Sequence, residues 1–233
     1  MKEAAKLDKA RISVFLICGI LGCLCFGGGD WLMMYGNPAY TGTLYWLTDG
    51  AANIPAWRNT LAMALSFPGI VLYGIGLLGI SEFIKENRRR KIYKTLTAYG
   101  FTPWIALHLF YVMILFLYAW LHKNGFAEAA NAVCEAIYRH FKWLPLVCEL
   151  IMIPPFVYWI YLQLKGATIL PKGMALFSAL PVYAVLYLIK TVLPVSAFRL
   201  GFANGLMSEA MVIWFAALLV WTRLEAKRTT ENQ

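Results

Sequence analysis

The chain has 233 residues, 61% of them hydrophobic and only 14% charged. A water-soluble domain carries about 45–50% apolar and about 25% charged residues, so this composition excludes an ordinary soluble domain and points to a chain solvated by lipid. The formal net charge of +9 would suit a nucleic-acid binder in a soluble protein. Here the basic residues gather at the ends of apolar runs, where membrane orientation and anionic lipid account for them. Membrane lipid is therefore the expected partner, and nucleic acid is not.

Lys2, Lys6, Lys9 and Arg11 precede a first apolar run over 12–35. This resembles the start of a signal peptide, but no A-x-A cleavage site follows. Ile20-Leu21-Gly22-Cys23 has the look of a bacterial lipobox, yet the run continues beyond it for long enough to span. A retained first helix is expected. Further runs cover 61–84, 99–121, 143–164, 174–194 and 204–223. Each approaches the roughly 20 residues that cross a bilayer. Backbone groups in hydrocarbon must be satisfied within their own segment, so each is read as a helix. The expected fold is all-α: a polytopic integral membrane protein forming a six-helix transmembrane bundle as one domain over 1–233.

Lys and Arg set the orientation. Fifteen fall on one side, including the run KENRRRK after the second span, and five on the other, with Lys190 inside the fifth span. This predicts a cell-membrane protein with both termini in the cytoplasm. Two connections on the outer side are long. Residues 37–60 contain Pro38 and Pro55 and are expected to be ordered against the membrane surface. Residues 124–142 read as an amphipathic helix in the outer interface, with Phe126, Ala130, Val133, Ile137 and Phe141 on the apolar face and Glu128, Asn131 and Glu135 on another. Met63-Ala64-Leu65 before Pro68 and Met174-Ala175-Leu176 before Pro181 hint at an inverted repeat, but the match is short enough to arise by chance.

Several motifs carry no chemistry. Gly74-Ile75-Gly76-Leu77-Leu78-Gly79 matches the dinucleotide fingerprint literally, but lies inside an apolar helix rather than after a strand. Small residues there let a neighbouring helix approach. Gly201 and Gly205 form a GxxxG with the same reading. Cys18, Cys23, Cys25 and Cys148 sit in apolar runs, and Cys134 falls in the second outer connection. No disulfide framework or metal spacing follows. His108, His122 and His140 form no HExxH, so neither a metal nor a cofactor is expected.

The informative signal is the ionisable residues within the spans. Each costs roughly 2.5–3.5 kcal/mol at the bilayer centre and needs a partner or a wet cavity. Asp30, Glu149, Glu209 and Lys190 fall on four spans, roughly 6–9 Å below the outer surface at the helical rise. Arg199 and Asn204 border that level and His108 forms a floor, so these seven residues are the expected ligand site. The plainer reading is that Lys190 and Arg199 simply neutralise the three carboxylates. Glu82, near the inner end of the second span, reads as interfacial and structural. The function expected is an outward-facing polar site within the membrane that binds a small ligand, with transport as its extension. One alternative is an intramembrane enzyme using two carboxylates and a His on a lipid or isoprenoid. Another is a membrane scaffold or assembly subunit.

Overall fold

The computed structural model describes residues 8–36 and 54–231, with side chains to 228. Most of the first outer connection, and Lys2 and Lys6, lie outside the described residues. The chain is all-α. Its helices are α1 (Lys9–Met34), α2 (Ala56–Ile80), α3 (Asn87–Lys123), α4 (Ala127–Phe141), α5 (Trp143–Leu164), α6 (Ala179–Val192) and α7 (Ala197–Glu231). Short 3-10 turns cover Ser81–Phe83 and Lys172–Phe177. The described residues form no strand, only one isolated bridge between Ile84 and Thr168.

Five helices are long and apolar enough to cross a membrane: α1, α2, α3, α5 and α7. The segment expected as a fifth span is different. It folds as the 3-10 turn Lys172–Phe177, an extended Ser178, and the 14-residue α6. At 1.5 Å per residue, α6 reaches only about 21 Å, short of a hydrocarbon core of about 30 Å. Pro181 explains where it starts. Proline has no amide hydrogen and fits only the first turn of a helix, where that donor has no partner anyway. Ser178 turns back as well: its amide and its Oγ both donate to the carbonyl of Ala175, at 3.1 and 2.6 Å.

Helix α1 is central and antiparallel to both α2 and α7. Glycines set its closeness to α2. A Cβ on Gly76 would collide with the backbone of Gly19, and one on Gly22 with the backbone of Tyr73. Both glycine-rich stretches are therefore packing surfaces, as small residues are in membrane helix pairs. Helix α3 runs antiparallel to α5. Pro155 cannot donate to the carbonyl of Ile151, and that oxygen lies against Gly100 of α3, where an added Cβ would stand 2.9 Å away. Around the bundle the neighbours run α6, α7, α1, α2, α3, α5, and the ring is left nearly open between α5 and α6. Helix α4 packs outside it on α3.

One half of the bundle is a packed aromatic core in which Trp159, Trp214, Phe215, Tyr73 and Tyr93 are fully buried. The outside is equally apolar: Leu21, Phe67, Val71, Leu150, Val157, Val185 and Leu188 all lie exposed. A soluble monomer rarely presents apolar surface on this scale; a lipid-facing one must.

One end of the bundle carries most of the cations. Lys9 Nζ donates to the carbonyl of Glu225 at 2.8 Å, which brings the start of α1 to the end of α7. Lys85 donates through Nζ to the carbonyl of Gly166 at 2.9 Å. The basic run is no loop, because α3 starts at Asn87 within it. Glu82 is structural as expected, although its partners are Arg90 at 3.2 Å and Lys94 at 3.6 Å.

Candidate functional site

A cavity of about 340 Å³ opens in the other half of the bundle, walled by α1, α3, α5, α6 and α7. Helix α3 supplies its longest wall through Trp104, Leu107, His108, Tyr111, Val112 and Leu115. These recur at three- and four-residue spacing and so share one helical face. Helix α5 contributes Pro145 and Glu149, one turn apart, and α6 contributes Tyr183. Helix α7 contributes Asn204 and Ser208, again one turn apart, with Met207 between them.

Asp30 enters from α1, directly after Gly27-Gly28-Gly29. A Cβ on Gly27 would stand 2.8 Å from Cβ of Ser208 on α7, and one on Gly29 would stand 3.3 Å from Oγ of Ser66 on α2. The glycines thus admit neighbouring helices, and that close seating brings Asp30 to the cavity wall.

His108 forms part of the floor. Its ring lies 3.9 Å from that of Trp104 and 4.8 Å from that of Phe26, centroid to centroid. Its Nδ1 is 2.8 Å from the carbonyl oxygen of Trp104. A carbonyl only accepts, so Nδ1 is the protonated nitrogen, and in the neutral ring Nε2 is left as an acceptor. Asn204 is held in a similar way: Nδ2 donates one hydrogen to the carbonyl of Leu200 at 2.9 Å, which leaves Oδ1 as an acceptor and the second amide hydrogen as a donor.

Four of the seven expected site residues therefore meet: Asp30, His108, Glu149 and Asn204. Three do not line the cavity. Glu209 turns from it and accepts from Trp31 Nε1 at 2.9 Å through Oε1, while Oε2 is buried without a partner. The indole of Trp31 rests on the GxxxG of α7, where a Cβ on Gly201 would come within 2.6 Å and one on Gly205 within 2.8 Å of the ring. Lys190 lies in the last turn of α6, its Nζ 4.8 Å from the ring centroid of Tyr187. Arg199 donates to the carbonyl of Leu193 at 3.0 Å. Among the described residues, neither cation forms an ion pair with Asp30, Glu149 or Glu209, so mutual neutralisation is not what these side chains do. Arg58 donates to the carbonyl of Trp31 at the end of α1 at 3.2 Å.

Trp104, Tyr111, Tyr183 and Ser208 line the cavity without having been singled out in the sequence. The first two were legible there, because they flank His108 at i−4 and i+3 and so must share its helical face. Tyr183 and Ser208 had no such signal. Among the described residues, no three His, Cys, Asp or Glu side chains gather as a metal-binding group.

The fold and the cavity define a class: an all-α protein with several membrane-compatible helices around a partly polar cavity. The chain belongs to a family of unknown function, DUF6796, whose model matches residues 1–225. No curated protein and no solved structure matches it.

Proposed function

We propose that this protein is a multi-pass membrane protein with its cationic end in the cytoplasm, and that it binds a small ligand in the cavity, reached from the outer side. The observation that carries this reading is the convergence of Asp30, His108, Glu149 and Asn204, from four helices, on one cavity of about 340 Å³. Small-molecule sites typically occupy about 300–1,000 Å³ and combine an apolar lining with a few convergent polar groups. Ionisable residues within membrane spans are costly and are retained where they serve a site. A scaffold needs no cavity, and it would hold its carboxylates paired. Transport would further require the aromatic floor beneath Trp104 to part.

Cysteine accessibility tests the reading. In a background with the five native cysteines replaced, Ala203→Cys places a thiol on the cavity wall. A small impermeant thiol reagent added to intact cells should modify it. A cysteine replacing Gly173, at the cationic end, should react only after the membrane is opened. Protection of position 203 from a reagent that reaches other outer positions would remove the outward-facing cavity.

A further inference from the structure

We infer that the ligand of this cavity is an organic ammonium carrying an apolar body, which enters at the outer end of the gap between α5 and α6. The inference rests on the binding reading above and names its chemical class.

The argument starts from which polar atoms line the cavity. Asp30 and Glu149 present carboxyl groups, which offer only acceptors when ionised. His108 has committed its N–H to the carbonyl of Trp104, and Asn204 has committed one of its two amide hydrogens to that of Leu200, keeping one N–H beside its Oδ1. Both therefore offer an acceptor to any ligand. The hydroxyls of Tyr111, Tyr183 and Ser208 both donate and accept, and among the described residues no Lys or Arg lines the cavity. Lys190 and Arg199 are held elsewhere, on Tyr187 and on the carbonyl of Leu193. An anionic ligand thus has no cation to meet among the described residues. The site is acceptor-rich and lacks a counter-charge, and a ligand N–H₃⁺ group would supply both donors and charge. Trp104, Tyr111 and Tyr183 add ring faces, which attract ammonium groups. Met33, Met34, Leu107, Val112 and Leu115 form an apolar wall beside them, suited to a hydrocarbon or aryl body.

The route follows from the helix ring. Helices α5 and α6 barely touch. Glu149 is exposed on the α5 side of that gap and Tyr183 half-buried on the α6 side. The short α6, begun late by its proline, leaves the opening. A ligand arriving at the outer end of that gap would pass Glu149 first and reach Asp30 within.

Three probes with one tail decide the matter: phenylbutylammonium, phenylbutanol and phenylbutanoate. Each is titrated calorimetrically into the full-length protein in uncharged maltoside micelles, with empty micelles as the blank. The ammonium should bind saturably at one site, at least about tenfold more tightly than the other two. Glu149→Gln and Asp30→Asn should each weaken it by about tenfold or more, and Lys190→Gln should leave it unchanged. Because Glu149 is exposed, its variant keeps the test valid even if Asp30→Asn fails to fold. Short-chain phosphatidylethanolamine as competitor separates the sources: displacement of the ammonium assigns a lipid head group, and its absence assigns a free amine. If the alcohol or the anion binds as tightly as the ammonium, the cavity binds ligands but does not select cations, and the inference falls alone. If none of the three binds saturably, the binding reading falls with it.

Discussion

Gly22 and Gly28 lie on the same helix and illustrate what a single Cβ decides. At Gly22 a methyl group would collide with the backbone of Tyr73 and come within 2.8 Å of the carbonyl of Gly69. Backbone cannot rotate aside, so α1 and α2 would have to separate. At Gly28 an added Cβ meets nothing within 4 Å. Overpacking costs roughly 1–3 kcal/mol, whereas Gly to Ala in an unobstructed helix gains about 0.5–1 kcal/mol. Gly22→Ala is therefore expected to lower the thermal midpoint in detergent, and Gly28→Ala to hold or raise it. Equal midpoints for the two variants would contradict the close seating of α1 on α2. Trp31 shows a different economy at this scale. Its indole fills the notch left by Gly201 and Gly205 while its N–H satisfies one oxygen of Glu209, so one side chain both packs two helices and removes a carboxylate from the cavity.

At the scale of elements, α4 shows an amphipathic helix whose apolar residues divide between a protein-packed side and an exposed side. Ala130 and Ile137 of the apolar face read from the sequence pack on α3, together with Cys134 and Tyr138. Phe126, Val133 and Phe141 lie exposed instead. Both sets are apolar, and only contact with Val112, Leu115 and Tyr118 of α3 selects between them. Cys134 consequently sits in a helix and is buried. Burial disfavours the thiolate and pushes its pKa from about 9 up to about 11. The sign of the linkage follows. Between those values the unfolded chain has lost the proton that the folded one keeps, so stability is full below pH about 9 and declines as pH rises toward 11. In a variant retaining Cys134 alone, alkylation by iodoacetamide is expected to rise with a midpoint near 11; a midpoint near 9 would mean that α4 does not cover the thiol. Replacing Cys134 with Ala should flatten the stability profile across that window.

For the whole molecule, the antiparallel pairing of α1 with α2 and α7, and of α3 with α5, brings the basic segments to one end. Lys85, Arg88, Arg90, Lys94, Lys165, Lys172 and Arg223 gather there from separate parts of the chain. Such clustering sets membrane orientation and attracts anionic head groups. Asn87 belongs to this cationic end and Glu128 of α4 to the opposite one, and both are exposed. A cysteine at Glu128 is expected to react with an impermeant reagent in intact cells, and one at Asn87 only in inverted or opened membranes. The reverse pattern would invert the assignment and place the cavity on the cytoplasmic side.

The sequence by itself determined the lipid-soluble, all-α class, because 61% hydrophobic composition and runs of bilayer length leave a backbone no other way to satisfy its hydrogen bonds. It also separated a structural carboxylate, Glu82, from those deeper in the spans, since only Glu82 lies beside the basic run. It overreached at residues 174–194, where hydropathy sums side chains and is blind to the backbone donor missing at Pro181. What only the tertiary structure decided was which charges meet. Depth along a helix follows from counting residues, and it put Asp30, Glu149, Glu209 and Lys190 on one level. Azimuth around a helix depends on which neighbours it packs against. Glycines at positions 19, 22, 27, 100, 201 and 205 set that packing, with Asp30 and Glu149 at the cavity and Glu209 on Trp31, while Lys190 came to rest on Tyr187.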